Sequence, residues 1–556
     1  VFTNHTNVDV DSFNCENLSS PKTRKLKQIV KMKDKKIKRS QKKVLRQART
    51  IKGLMATLDQ KSLISKELAE ILGNNFGHID MALFKNECRN KNLETGSRYS
   101  KDIKEFAISL NFYSPRAYKF VRKTLHLPHP ATLRSWAGNV VCEPGFLSNV
   151  ISSLSAKLQL SGETECALIL DEMSIRKDTQ WDKKQSKFVG NVDYGKIKGE
   201  DSENIATNVL VVMAVDLKSP WQRPIAYFLT NKTNSEIQAQ IIKKAIILLY
   251  EKNVVVKSVT FDGPTKNIAT ARKLGCNIDD LQGSFPHPCR PDLNVYIILD
   301  ICHMLKLARN ALGDMKVFVT PKEEKISWEF IKALYDIQQQ DILHIGNRLK
   351  TKHIIWQKHK MKVSIAAQTL SESVAAAITF LRENGNPNFK DSKATSDFIL
   401  LMNNLFDILN SKSKFGRQFK APVTTKNYEK ISSYLTNGVK ILTSLTDLNG
   451  LKIVNGPRKT FIQGFAISIK SILAITKDLL QRSNSPYEFV LTYKFSQDPL
   501  EMFFSKIRGR LGWNNNPNAL QFKYALRSLL LANKIDSPST ANCTPVENEN
   551  DALPDA

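Results

Sequence analysis

"ECALILDEMSIRKD", residues 165–178, is the stretch on which the reading of this chain turns. The short apolar run from Ala167 to Leu170 reads as a buried central strand, and it delivers two carboxylates, Asp171 and Glu172, at its end. Acids at the carboxyl end of such a strand face the crevice where α/β folds place their ligands. The simpler alternative is that Asp171 only caps the turn that follows, as Asp commonly does. The choice rests on whether other acids arrive at the same place.

The same signature recurs. In "TFDGPTKN" (260–267) a β-branched apolar run ends in Asp262, and Gly263-Pro264 forces a turn. In "YIILD" (296–300) a third run ends in Asp300. In "SQDPLEMFF" (496–504), Pro499 suits a first helical turn. That places Glu501 near a helix start, with Lys506, Arg508 and Arg510 farther along as candidate DNA contacts. Two strand-end acids and one helical acid are what two-metal phosphoryl transfer requires. The carboxylates would hold two Mg²⁺ (or Mn²⁺) ions about 3.5–4 Å apart, one activating the attacking oxygen and one stabilising the leaving oxygen.

Charge points to the same substrate. Lys and Arg number 82 and Asp and Glu 53, giving a net charge of +29 over 556 residues. A surplus of that size favours a polyanion, because each phosphate neutralised releases condensed counterions. Membrane is disfavoured as the partner: no stretch approaches 18 consecutive apolar residues, and no signal-peptide pattern opens the chain. The eight cysteines are scattered without a C-x-x-C pair, against both a disulfide framework and a structural zinc knuckle. A reducing compartment and a nucleic-acid partner together indicate the nucleus. The chain begins with Val, so an amino-terminal portion is expected to precede it.

Seven segments follow from the texture. Residues 1–20 are polar and expected to be disordered. Residues 21–95 open with a basic helix carrying 14 Lys or Arg against one acid between Lys22 and Arg49. Val30, Ile37, Val44 and Ile51 recur there every seven residues, as in a dimerising seam, although a solvated charged helix is the alternative. Residues 96–155 hold three short helical patterns. Ile103, Phe106, Ala107 and Leu110 face one core, Ala117, Phe120 and Val121 the next, and a third helix begins at Ala131. That is a helix-turn-helix layout with Thr132, Arg134 and Ser135 available to a DNA groove. In residues 156–315, three strands, a helix and two further strands match the order of a ribonuclease-H-like mixed α/β core. Residues 316–485 read as a helical insertion, 486–535 as helices returning to the core, and 536–556 as a disordered acidic tail.

Five ordered motifs, "LDEMSI", "TFDGPTKN", "LDICHMLKLARN", "FDILNSK" and "SQDPLEMFFSKIRGRLGWNNNPNALQFKYALR", resemble the P-element transposases and their THAP-domain transposase relatives, over about residues 97–534. The resemblance implies a ribonuclease-H-like fold whose catalytic and metal-holding triad is Asp171, Asp262 and Glu501. Asp300 to His303 also resembles the D-x-x-H signature of the related hAT transposases, which would set His303 beside the scissile phosphate; a satisfied core histidine is the alternative. The family's cofactor is GTP, bound without hydrolysis by the helical insertion. The matching positions are Lys362, Phe406, Asp407, Asn410 and Asp498. Asp407 would accept hydrogens from the guanine edge and Lys362 would meet phosphate; an ordinary amphipathic helix is the alternative. No G-x-x-x-x-G-K-[ST] is present, and "NKTN" (231–234) reads as a turn. The cysteine pattern offers no match to the family's zinc-coordinating THAP domain, and a truncation of the family's carboxyl-terminal region after about residue 536 is expected. The expectation is a cut-and-paste transposase acting on double-stranded DNA as a homodimer or higher oligomer. A domesticated DNA-binding protein that does not cut is the first rival, and a GTP-binding regulatory protein the second.

Overall fold

The computed structural model describes residues 32–33, 35, 38, 58–64, 79–90, 96–138, 141–158, 163–183, 185–197, 203–263, 265–340 and 347–533. The expected disordered segments, 1–20 and 536–556, and the seam residues Val30, Ile37, Val44 and Ile51 lie outside the described residues. The chain divides into two compact units: Val1–Val140 with the segment from Ser528 onward, and Val141–Arg527.

In the smaller unit, helices Asp80–Asn90, Lys101–Tyr113, Pro115–Arg122 and Pro130–Gly138 enclose an apolar core. Ser114 ends the second helix and starts the third: its hydroxyl accepts from the Ala117 amide at 3.1 Å, and Pro115 needs no amide partner at the first helical position. Ile103, Phe106, Ala107 and Leu110 are buried, as the periodicity anticipates. On the next helix the buried face is Ala117, Tyr118 and Val121, and the expected Phe120 packs only at its margin. Tyr118 can go inside because its hydroxyl donates to the Pro128 carbonyl at 2.5 Å.

The larger unit opens, among the described residues, with nine strands: β1 (Gly145–Phe146), β2 (Thr164–Ser174), β3 (Gln180–Asp182), β4 (Lys187–Val189), β5 (Asn208–Asp216), β6 (Gln222–Thr230), β7 (Val254–Phe261), β8 (Ser284–His287) and β9 (Arg290–Leu299). Seven of them form one mixed sheet in the order β1-β6-β5-β2-β7-β9-β8. β2, β7 and β9 run parallel, and β5 and β6 continue from β2 antiparallel. This is the ribonuclease-H-like order expected above, extended by short edges β1 and β8; β3 and β4 form a separate hairpin between β2 and β5. Every residue of β7 is buried, because helix Ser235–Tyr250 covers it on one face; helix Thr460–Gln481 packs on β9.

After β9, helix Ile301–Met315 leads through a small hairpin, Val317–Val319 with Lys325–Ser327, into an all-helical region. That region includes helices Trp328–Gln340, Val363–Thr369, Glu372–Glu383, Lys393–Leu409 and Tyr428–Ser444. The chain returns through Thr460–Gln481, which lies close against Ile301–Met315; Gly464 permits it, since a Cβ there would collide with the Met304 thioether. One segment, Val363–Glu383, is long and apolar enough to cross a membrane by length and composition. It is two helices broken at Leu370-Ser371, and Ile365, Ala366, Val374, Ala377 and Ile378 pack inward from it.

Candidate active site

Asp171 lies inside β2 rather than at its end. Pairing with β7 stops at Ile169, opposite Thr260, whereas pairing with β5 continues through Asp171, Glu172 and Met173 to Ser174. Asp171 therefore stands where β2 outruns its parallel neighbour. Asp262 follows the last residue of β7, so both acids sit at the carboxyl end of one parallel pair. Glu501 approaches from the first turn of helix Asp498–Arg510, which has Pro499 in that turn.

The position of that helix is fixed by buried polar contacts. Gln497, immediately before it, donates its side-chain amide to the Leu170 carbonyl at 2.7 Å and its backbone amide to Asp300 Oδ1 at 2.9 Å. Thr260 Oγ1 on β7 donates to the Phe495 carbonyl at 2.9 Å. Asn267 secures Asp262, donating to Oδ1 at 2.5 Å, and is itself held by Gln238 Nε2 at 2.8 Å.

These acids share one electrostatic environment. Burial pushes Asp171 up to about 7, and the charges of Asp262 and Glu501 push in the same direction, against the Glu172 amide and His303. Asp262 is raised chiefly by burial, with His303 and Lys266 opposing and Asp300 and Glu172 adding to the rise. Glu501 reaches solvent, yet the protein packed around its carboxyl is the largest cause of its upward shift, followed by Asp300 and Asp498.

Asp300, 1 % exposed, caps helix Ile301–Met315 and accepts from both the His303 amide and His303 Nδ1 at 2.9 Å. Burial works to raise it, but the His303 contact and the Gln497 amide outweigh burial and hold it below the usual range. His303 is the mirror case: burial would lower it, and Asp300 raises it. His303 is thus a satisfied histidine that also faces Asp262, Asp171 and Glu501.

Glu172, the other carboxylate of the opening stretch, belongs to a different network, with Lys266 Nζ at 2.5 Å, Asn208 Nδ2 at 2.9 Å and Thr233 Oγ1 at 3.3 Å. The donors that Asp171, Asp262 and Glu501 offer are all carboxylate oxygens, the kind Mg²⁺ and Mn²⁺ take, and their mutual repulsion is what a cation would relieve. Among the described residues, however, no three acid, His or Cys side chains converge into a closed metal-binding group. The donor set suits a divalent ion; this arrangement of it is open.

The residues assigned to the nucleotide are more scattered. Phe406 and Asp407 lie on helix Lys393–Leu409 and Asn410 caps its end, whereas the exposed Lys362 precedes helix Val363–Thr369. Among the described residues no side-chain hydrogen bond or ion pair joins Lys362 to the other three. Asp407 is raised by burial, opposed by Lys420 and by the Asn403 amide at 3.2 Å. Asp498 sits on the Glu501 helix and pairs with Lys412 Nζ at 2.9 Å. The end of helix Lys393–Leu409 is tied to Thr492, in the segment that leads into the Glu501 helix: Ser411 N donates to Thr492 Oγ1 at 3.0 Å, and that hydroxyl donates to the Ile408 carbonyl at 2.5 Å. Of the expected DNA contacts, Lys506, Arg508 and Arg510 share the Glu501 helix, while Arg134 and Ser135 are exposed on Pro130–Gly138 in the smaller unit.

Four sequence profiles match in order along the chain. They are the HTH domain of transposable element P transposase-like proteins (57–136), the TNP-like RNase H N-terminal domain (142–275), the TNP-like GTP-binding insertion domain (302–422) and the TNP-like RNase H C-terminal domain (493–527). The chain belongs to the P-element transposase family. Human DNA transposase THAP9 is 30% identical over 483 residues, 86% of this chain and 52% of the relative. The Drosophila melanogaster transposable element P transposase is 26% identical over 470 residues, 84% and 58% respectively. This P-element family chain thus spans a little over half the length of each. The Drosophila P element transposase strand transfer complex shares its fold, with a TM-score of 0.70 at 24% identity over 83% of this chain and 98% of that one.

Sequence reasoning missed Gln497, Asn267, Thr260 and the separate engagement of Glu172. Gln497, Thr260 and Glu172 find their partners far away in sequence, so no local spacing announces them; Asn267 reaches Asp262 five residues before it but is held by the distant Gln238.

Proposed function

We propose that this chain is the DNA-handling and catalytic portion of a cut-and-paste transposase, hydrolysing DNA at element ends and joining the freed 3′ hydroxyl to target DNA. The observation that carries this reading is the meeting of Asp171, Asp262 and Glu501 in one field at the carboxyl end of β2 and β7.

In the first step, water attacks the scissile phosphorus, forming one P–O bond as the bond to the 3′ oxygen breaks. In the second, that 3′ hydroxyl attacks a target phosphodiester, exchanging one P–O bond for another. Asp171, Asp262 and Glu501 would hold divalent metal, which supplies Lewis acidity to the attacking and leaving oxygens. With Nδ1 of His303 engaged by Asp300, the ring nitrogen left to hold or release a proton toward the phosphate is Nε2. Lys506, Arg508 and Arg510, on the helix that carries Glu501, would bind the DNA backbone. GTP would bind without hydrolysis, its guanine read by Asp407 with Phe406 and Asn410, its phosphates met by Lys362, and Asp498 a further contact to the nucleotide. Double-stranded DNA is the partner, the nucleus the compartment, and a homodimer or higher oligomer the working form.

The open arrangement of the acids favours one other reading, a DNA-binding protein that no longer cuts. An assay of Mg²⁺- or Mn²⁺-dependent cleavage and joining, on DNA selected by the protein from candidate element ends, separates the two. Metal-dependent nicks with 3′ hydroxyls are expected; tight binding with no cleavage in either metal would establish the alternative.

A further inference from the structure

A cleft lies within the smaller unit. It encloses about 840 Å³ between the segment before helix Lys101–Tyr113, the turn after Arg122, and one side of helix Pro130–Gly138. Arg98, Lys104, Arg122 and Lys123 line it, and no acidic side chain does. All four are exposed, and among the described residues none of them is held in an ion pair. The cleft therefore presents concentrated positive charge without neutralisation.

Its wall is also aromatic. Lys104 Nζ lies 5.2 Å from the Trp136 ring centroid, and Tyr99 meets that ring edge-on at 6.1 Å. Thr132 and Trp136, one helical turn apart, face the cleft, while Arg134 and Ser135 are exposed and do not line it. Of the three residues expected at a duplex groove, Thr132 thus lies on the cleft side of the helix, and Arg134 and Ser135 lie outside the cleft lining.

We propose that this cleft binds an unpaired stretch of a nucleic-acid strand, with phosphates on the four cations and a base against Tyr99 and Trp136. A volume of about 840 Å³ suits one or two unpaired nucleotides, whereas a duplex is a far larger body. Cations that track a backbone beside aromatic rings that accept bases are how single strands are held without sequence reading. This rests on the DNA-handling reading above and adds to it a preference for DNA with a single-stranded extension.

The test is fluorescence anisotropy on the full chain, with a blunt duplex and the same duplex carrying a short single-stranded extension. Wild type should bind the extended DNA about tenfold more tightly. Trp136→Leu and the double variant Lys104→Gln/Arg122→Gln should each lose most of that advantage, whereas Arg134→Ala should weaken both DNAs and leave their ratio alone. The double variant changes only exposed side chains, so it keeps the test intact if Trp136→Leu fails to fold. Equal wild-type affinity for the two DNAs overturns the proposal, as does an unchanged ratio in the double variant. A polyglutamate peptide that displaces the extended DNA as well as single-stranded DNA does would also overturn it, by assigning the cleft to acidic protein. Failure to bind either DNA would instead sink the DNA-handling reading itself.

Discussion

The acid cluster and the nucleotide residues are built in opposite ways. Asp171, Asp262 and Glu501 come from three distant parts of the chain, yet Gln497, Thr260 and Asn267 fix the backbone around them through buried hydrogen bonds. Phe406, Asp407 and Asn410 are neighbours in sequence, but Lys362 stands apart from them and Asp498 belongs to the catalytic helix. A site that must hold repelling charges together is held by the core. A site that takes a mobile ligand is left for the ligand to complete. The difference teaches where substitutions should act: on chemistry in the first region, on affinity in the second.

The sharpest way to break that contrast is to remove one acid. Asp171→Ala, Asp262→Ala and Glu501→Ala should each lower cleavage and joining about a thousandfold or more while DNA affinity survives, and the losses should not add when combined. A single variant that still cleaves in a gel assay would take its residue out of the triad.

The second region should respond less. Asp407→Asn should weaken GTP roughly ten- to a hundredfold in equilibrium titration, because an amide must present a donor where guanine already has one. Equal affinity in the two proteins would place the guanine elsewhere.

Gln497→Leu asks whether the pins matter apart from the acids. It leaves the Leu170 carbonyl without its partner, which should cost about 1–3 kcal/mol of stability in chemical denaturation. Cleavage should fall roughly tenfold through misplacement of Glu501. A stability loss with unaltered cleavage would make Gln497 part of the fold alone.

The smallest effect expected is on pH. A carboxyl raised in the folded state contributes stability below its ordinary value and loses that contribution as pH rises through its folded value. For Asp171 the window runs from 3.8 to about 7. In metal-free buffer, Asp171→Asn should therefore flatten the decline of Tm across that window. Asp300, held low, acts in the opposite direction, and Asp262 and Glu501, also raised, add to the decline, so the variant removes only part of it. Parallel Tm profiles would mean that Asp171 is not raised.

Much of the catalytic region is legible in the sequence. Apolar runs ending in Asp mark central strands by composition alone, and Pro499 marks the helix that brings Glu501. The rest is hidden by distance. Sequence texture puts Asp171 at a strand end, but β2 continues beside β5, since pairing depends on a partner some forty residues away. Periodicity puts Phe120 in the core and Tyr118 takes its place, because a hydroxyl bond to Pro128 decides between two aromatic residues two positions apart. The cleft around Trp136 has no sequence signature, since its cations are spread over three segments.

The central claim is that the three acids form one divalent-metal site, and Mn²⁺ titration of the DNA-bound full chain, followed by electron paramagnetic resonance, tests it without relying on turnover. Wild type should bind Mn²⁺ saturably, and Asp171→Ala, Asp262→Ala and Glu501→Ala should each abolish or sharply weaken that binding. Unchanged Mn²⁺ binding in any of the three, or none in the DNA-bound wild type, would contradict it.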